Sequence, residues 1–369
     1  MTDSNRSALL PTLDPRRLEL ILYPTEQCNF RCTYCYEDFL LGKMSPAVIS
    51  GVKRLISERL STIQLLELSW FGGEPLAAKD VMYELCDYAQ AECARQGVQL
   101  AGQITTNGYF LDVETARRLQ GYGQGTYQIS IDGYGAAHDR TRKLMSGGGT
   151  FDRIWSNMLA LRDSDIQFHI LFRIHLTTDN LASMEELGHV MRKEFLHDPR
   201  FAVFLKTIEN LGNDAAKPIM IPKEEREAAY RRLAIAFGLA APDAAADAEV
   251  VVSSKEAAAS AAATSMAEPE QAPAPRAARP LPTVCYAARP NSLAIRANGK
   301  VQKCTVLMHD ERNHLGDLSE NGTMKLDRDK MAYWMRGYDS LDAGELKCPA
   351  NGAPPAATTR KTIPISVAA

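Results

Sequence analysis

Three of the eight cysteines in this 369-residue chain fall within eight consecutive positions, Cys28-Asn29-Phe30-Arg31-Cys32-Thr33-Tyr34-Cys35. Three thiolates on one short loop can hold three irons of a cubane iron–sulfur cluster. Electron-transfer clusters use four cysteines. A set of three leaves one iron without a protein ligand, an open position of the kind that catalytic metal sites keep. The alternative is a zinc ion on the same cysteines, completed by a histidine, Cys86 or Cys93, although structural zinc sites usually pair cysteines as C-x2-C. In a reducing compartment, clustered cysteines read as metal or redox sites rather than disulfides. Cys86 and Cys93 lie seven residues apart in a helical period, hence on one helix face, and read as buried, inert thiols.

The elements that must position this loop are legible in the patterning. Strand-like runs at Leu18–Thr25, Leu65–Phe71, Val98–Asn107, Thr126–Asp132, Phe168–Thr177 and Phe201–Ile208 alternate with helical periods at Pro46–Arg59, Asp80–Gln96, Asp112–Gln120, Phe151–Asp163, Leu181–Glu194 and Lys223–Phe237. Such alternation predicts parallel strands joined by right-handed crossovers, in an open sheet or a barrel. Ligands in either form bind at the C-terminal strand ends. The cysteine loop follows the first strand. Gly72-Gly73-Glu74-Pro75 follows the second, Thr105-Thr106-Asn107-Gly108 ends the third, and Ser130-Ile131-Asp132-Gly133 ends the fourth. Four unusual segments therefore converge on one rim.

Gly72 and Gly73 lack a Cβ, so backbone can approach a ligand there; a simple turn is the alternative. Ser130 and Asp132 share a strand face. On the fifth strand His169, Arg173 and His175 share one face and Phe168, Ile170, Phe172, Ile174 and Leu176 the other. A polar face on a central strand needs a reason: a cavity, or internal hydrogen bonds. Thr106 and Asn107 either shape the rim or serve structure.

The C-x3-C-x2-C spacing, Tyr34 before the last cysteine and the Gly72-Gly73-Glu74-Pro75 segment together resemble the radical S-adenosylmethionine (SAM) superfamily, over about residues 18–210. The resemblance implies an α/β fold, a partial (β/α)6 TIM-like barrel. It implies a [4Fe-4S] cluster on Cys28, Cys32 and Cys35 whose unique iron chelates the amino and carboxylate groups of SAM. An electron, from a donor such as flavodoxin or ferredoxin, then cleaves SAM to methionine and a 5′-deoxyadenosyl radical that abstracts hydrogen. SAM contacts are expected from Tyr34, Gly72, Gly73, Glu74 and Ser130. The segment His138-Asp139-Arg140-Thr141-Arg142 resembles an H-D-x-x-R element, with Arg142 facing the SAM carboxylate and Arg140 on the surface. Asn107, Asp132, His169, Arg173 and His175 are the expected cavity residues.

Residues 239–281 are rich in Ala, Pro, Ser and Glu and contain no aromatic side chain, the composition of a flexible linker. Beyond it, Asn298-Gly299 makes a hairpin turn between Ser292–Ala297 and Lys300–Thr305. Cys285, thirteen residues, Gly299, four residues, then Cys304 resembles the opening of the SPASM and twitch auxiliary domains. Leu315-Gly316-Asp317-Leu318 and Trp334 fit the same pattern. A small α+β auxiliary iron–sulfur domain is implied over residues 282–350, its cluster on Cys285, Cys304 and Cys348. Asn351 stands where a further cysteine belongs, so no second auxiliary cluster is expected. A zinc hairpin or plain hydrophobic cysteines are the alternatives. Residues 1–17 read as an N-terminal extension and 351–369 as a disordered tail.

Tyr23-Pro24-Thr25 before the loop, Tyr36 after it, and the auxiliary pattern are most similar to the peptide-maturase branch. That implies a ribosomally made precursor peptide, given a cross-link, thioether or epimerised residue. A barrel starting near residue 18 leaves no room for an N-terminal leader-binding domain. Oxidation of a small molecule, sulfatase-type maturation and a non-catalytic iron–sulfur or zinc protein compete. A net charge of −3 argues against nucleic acid as partner. No apolar run reaches the roughly 18 residues of a membrane span, and the polar N-terminus lacks a signal region, so a cytoplasmic location is expected.

Overall fold

Strands and helices alternate as the patterning predicts. The chain is described here by a computed structural model covering residues 9–211, 214–239, 250–252, 284–351 and 362–365. The strands are β1 (Arg17–Leu22), β2 (Phe30–Cys32), β3 (Leu65–Trp70), β4 (Gln99–Thr106), β5 (Thr126–Ile131), β6 (Arg142–Leu144), β7 (His169–Leu176), β8 (Phe201–Thr207), β9 (Val250–Val252), β10 (Ser292–Ile295), β11 (Lys300–Gln302), β12 (Gly316–Leu318), β13 (Met324–Asp327) and β14 (Thr362–Ile365). The helices are α1 (Pro46–Leu60), α2 (Lys79–Gln96), α3 (Val113–Gly121), α4 (Ala136–Thr141), α5 (Phe151–Arg162), α6 (Leu181–Glu194), α7 (Lys223–Phe237), α8 (Arg328–Ser340) and α9 (Ala343–Lys347).

Strands β1, β3, β4, β5, β7 and β8 pair in that order, all parallel, as a partial (β/α)6 barrel. Each is buried on both faces or lines a cavity, which is why the strands read as apolar runs. Leu20, Leu22, Leu66, Leu68, Ile129, Ile170, Phe172 and Ile174 are fully or almost fully buried between sheet and helices. Burying each such side chain is worth roughly 1.5–3 kcal/mol. Helix starts follow local chemistry: Ser45 accepts from the Val48 amide at the head of α1 and Asp112 from Thr115 at the head of α3, each satisfying an amide that has no intrahelical partner.

The C-terminal strands do not stand apart from this sheet. β10 pairs in parallel with β1, Glu19 opposite Ser292, and β11 to β13 continue outward antiparallel. The predicted hairpin is present, with Gly299 at φ 84° in its turn. No local signal announces the β1–β10 pairing, because its partners are more than 270 residues apart. The N-terminal extension is anchored too: Leu9 packs with Val284, Ala288 and Leu346.

Most of the predicted linker and tail lies outside the described residues. Within them, Val250–Val252 pairs antiparallel with β8 and Thr362–Ile365 with β13. The tail is therefore not structureless throughout; an apolar run of this kind satisfies the open edge of a short strand. Among the described residues, no helix is long and apolar enough to cross a membrane.

Candidate functional site

A cavity of about 180 Å³ opens at the C-terminal ends of the barrel strands. Cys28, Cys32, Tyr34 and Cys35 of the cysteine loop line it. So do Gly72 and Gly73 after β3, Asn107 after β4, Ser130 on β5, Arg142 at the start of β6, and Arg173 and His175 on β7. The four rim segments thus meet around one space.

A two-stranded strap holds the loop there. β2 pairs antiparallel with β6, placing Cys32 opposite Arg142. From that strap a buried polar network crosses the rim. Arg142 Nη1 donates to Tyr34 Oη at 2.9 Å, and Tyr34 Oη donates to Asp132 Oδ2 at 2.6 Å. His175 Nδ1 lies 3.0 Å from Tyr34 Oη and 3.1 Å from Asp132 Oδ1. Thr141 Oγ1 adds a bond to Asp132 Oδ2 at 2.7 Å. Burial alone would raise the Asp132 carboxyl, but the His175 hydrogen bond and the Arg142 charge outweigh it and hold it well below the usual range. Burial pushes His175 down to about 4, so its imidazole is neutral near pH 7. Connected hydrogen bonds of this kind fix their members in one arrangement, although among the described residues the buried Arg142 Nε has no partner.

The H-D-x-x-R element divides its labour. Arg140 is exposed and Arg142 buried, as expected. The His138 Nδ1 accepts the Asp132 amide at 3.3 Å. Asp139 accepts the Thr150 and Phe151 amides at 2.7 and 3.0 Å, capping the head of α5 from outside the helix.

Three expected site residues, Glu74, His169 and Asp132, are placed otherwise. Glu74 does not reach the cavity. It is fully buried, and its carboxylate accepts the Leu76 amide at 2.9 Å, the Asn107 amide at 2.7 Å and Thr106 Oγ1 at 2.7 Å. Pro75 opens a short helical turn with unsatisfied amides, and Glu74 supplies their acceptor. His169 shares the Arg173 face but sits at the opposite end of β7, outside the cavity wall. Asp132 acts behind Tyr34, His175 and Arg142. Cys86 and Cys93 are buried, as predicted.

Other lining residues gave little sequence signal. Tyr36, Glu37 and Phe39 follow the loop, and Gln128, Lys206 and Glu209 come from β5 and the end of β8. Burial pushes the Glu37 carboxyl up to about 8. Lys206 is hidden in an apolar run, so only alternation along β8 marks it. A further contact joins the loop to the C-terminal strands: Glu26 and Arg296 form a buried ion pair.

The residues present fit an iron–sulfur cluster. None of the described cysteines is in a disulfide. Burial pushes the Cys28 and Cys35 thiols up to about 12, so as thiolates they need a compensating metal charge. Among the described residues, no three His, Cys, Asp or Glu side chains converge closely enough for a single metal ion. Ligands to different irons of one cubane stand farther apart than ligands to one ion. Cys285, Cys304 and Cys348 form a second group away from the cavity. Cys285 is raised to about 11 by burial, with the charges of Cys304 and Cys348 contributing.

Residues 22–190 match the family described as the Radical SAM superfamily. The serine-type anaerobic sulfatase-maturating enzyme of Klebsiella aerogenes is 26% identical over 152 residues, 40% of this chain and 37% of that protein. Mycofactocin maturase MftC of Mycobacterium tuberculosis is 29% identical over 169 residues, 44% of this chain and 39% of that protein. The chain thus matches about two-fifths of the length of these relatives. The structure of native anSMEcpe with bound AdoMet superposes with a TM-score of 0.57 at 16% identity, over 85% of this chain and 80% of that one. Streptococcus suis SuiB bound to precursor peptide SuiA gives a TM-score of 0.51 at 16% identity, over 89% and 69%. At such identities the likeness establishes a shared fold.

Proposed function

We propose that this chain, a member of the radical SAM superfamily through residues 22–190, is a maturase that abstracts hydrogen from a ribosomally made peptide. The observation that carries the reading is the meeting of Cys28, Cys32 and Cys35 with the Gly72-Gly73 turn, Ser130 and Arg142 around one cavity. The family's [4Fe-4S] cluster and SAM, when bound, supply the reducing electron and the carbon radical.

The protein's part is to bind, orient and exclude water. Cys28, Cys32 and Cys35 would hold three irons. The backbone at Gly72 and Gly73 would face the SAM ammonium, and Ser130 with Arg142 its carboxylate or ribose. The Tyr34–Asp132–His175 network keeps Arg142 and the loop in register. Cys285, Cys304 and Cys348 would hold one auxiliary cluster, with one iron open. Flavodoxin or ferredoxin is the proposed electron donor, and the cytoplasm the proposed location. The peptide substrate is supported by relatives named as maturases and by the shared fold with SuiB, which was solved with a precursor peptide. Sulfatase-type maturation is the second reading, favoured by the Klebsiella aerogenes relative.

Anaerobically reconstituted wild type is expected to form 5′-deoxyadenosine from SAM and dithionite. The variant with Cys28, Cys32 and Cys35 all changed to alanine is expected to form none, while retaining about four irons on the C-terminal trio. Wild type that forms no 5′-deoxyadenosine would sink the enzyme reading. Wild type that cleaves SAM yet leaves every peptide encoded beside its gene unchanged in mass and fragmentation would sink the peptide reading.

A further inference from the structure

We propose that Arg173 binds a carboxylate of the substrate inside the cavity; this rests on the reading of the chain as a hydrogen-abstracting maturase. Arg173 lies between Phe172 and Ile174 on β7. Both neighbours are fully buried toward the helices, so strand alternation turns Arg173 into the cavity it lines. There it is half-buried, and among the described residues it makes no hydrogen bond or ion pair. Its Nε is buried without a partner.

The two other Arg and Lys side chains of the wall, Arg142 and Lys206, have partners. Arg142 donates to Tyr34, which donates to Asp132. Lys206 Nζ stands 3.4 Å from Glu209. His175, on the same face of β7, is bonded to Tyr34 and Asp132. A partly desolvated guanidinium with no counter-charge is costly. It is retained where an anion arrives to meet it, and its planar fork matches a carboxylate with two parallel bonds.

The place of Arg173 along β7 favours a carboxylate other than the one beside Arg142, and the SAM-binding measurement separates the two. Arg173 stands opposite Ser130 in the β5–β7 register. It precedes His175 by two residues, about 7 Å farther from the rim at strand rise. The rim carries the cysteine loop, the Gly72-Gly73 turn and Arg142. A carboxylate held at the rim already has Arg142 beside it. Arg173 is left for an acid reaching the wall below, either a Glu or Asp side chain or a chain terminus.

The test uses the full chain, reconstituted anaerobically, with Arg173→Met and Arg173→Lys beside wild type. The probes are Ac-Gly-Glu-Gly-NH2, its glutamine counterpart Ac-Gly-Gln-Gly-NH2, and Ac-Gly-Gly-Gly-OH, with binding followed by saturation-transfer NMR. SAM binding is measured separately by equilibrium dialysis. Wild type is expected to prefer one acidic probe over the glutamine probe by about tenfold, the size of a charge-assisted pair. Arg173→Met should erase the preference and Arg173→Lys keep part of it, with SAM binding unchanged in both. The acidic probe that wins distinguishes a side-chain carboxylate from a terminal one. The proposal is overturned if wild type shows no preference, if Arg173→Met keeps it, or if Arg173→Met weakens SAM binding instead, which would make the partner SAM's own carboxylate. Failure of wild type to form 5′-deoxyadenosine would strike the maturase reading while leaving the carboxylate preference measurable.

Discussion

Arg296→Met is expected to lower the stability of the chain by about 3–5 kcal/mol, the cost of stranding one partner of a buried ion pair. Arg296 Nε donates to Glu26 Oε1 at 3.0 Å, and its Nη2 donates to Glu26 Oε2. Its Nη1 also reaches the Met308 carbonyl at 3.3 Å, and the Ala297 amide donates to Glu26 Oε1 at 3.3 Å. The side chains are only 6% and 1% exposed, so water cannot take over the carboxylate once the guanidinium is gone. Denaturant unfolding should show the loss as a lower midpoint. Changing both partners, Glu26→Leu with Arg296→Met, should recover most of it, because an apolar pair of similar volume strands no charge. A single Arg296→Met variant with the wild-type midpoint would show that the pair contributes nothing net. Glu26 is two residues from Cys28, so the double variant also asks whether the pair aligns the loop: restored stability with reduced iron content would say that it does.

What was legible in the sequence follows from the range of each signal. The six parallel strands and their helices are written in local periodicity, and their observed ends fall within three residues of the patterning. The rim was legible because each motif sits directly after its own strand, and a parallel topology brings those ends together. Alternation puts Arg173 and His175 on the face that lines the cavity but carries no depth, so it groups with them His169, which lies outside the cavity. Glu74 was read toward the ligand because it adjoins the two glycines. The competing demand came from the amides of Leu76 and Asn107, the second of them 33 residues away. The Glu26–Arg296 pair and the β1–β10 pairing join residues some 270 apart, and nothing local in either segment announces its partner.

Gly73→Ala is expected to strip iron from the cysteine loop and to reduce 5′-deoxyadenosine formation by about 100-fold, the scale on which a shift of ~1 Å acts in a catalytic site. A Cβ at Gly73 would press on the Gln27 carbonyl and stand 2.7 Å from the Glu26 carbonyl oxygen. Both are backbone atoms of the stretch entering Cys28, so no side chain can swing aside. The Glu74 amide donates to the same Gln27 carbonyl at 3.0 Å, and that bond must stretch or break as the segments part. Gly72 cannot absorb the change. It holds φ +92°, and a Cβ there would stand 2.5 Å from the Thr25 carbonyl oxygen. The two glycines thus let the rim turn lie directly against the cysteine loop. Gly42→Ala is the control: a Cβ there meets nothing within 4 Å, and iron content and rate should stay at wild-type values. Iron quantitation with the visible absorption of the cluster, measured beside 5′-deoxyadenosine yield, separates a loop that cannot hold iron from one that holds it in the wrong place. Gly73→Ala protein with wild-type iron and wild-type yield would show that the close approach of the two segments is dispensable.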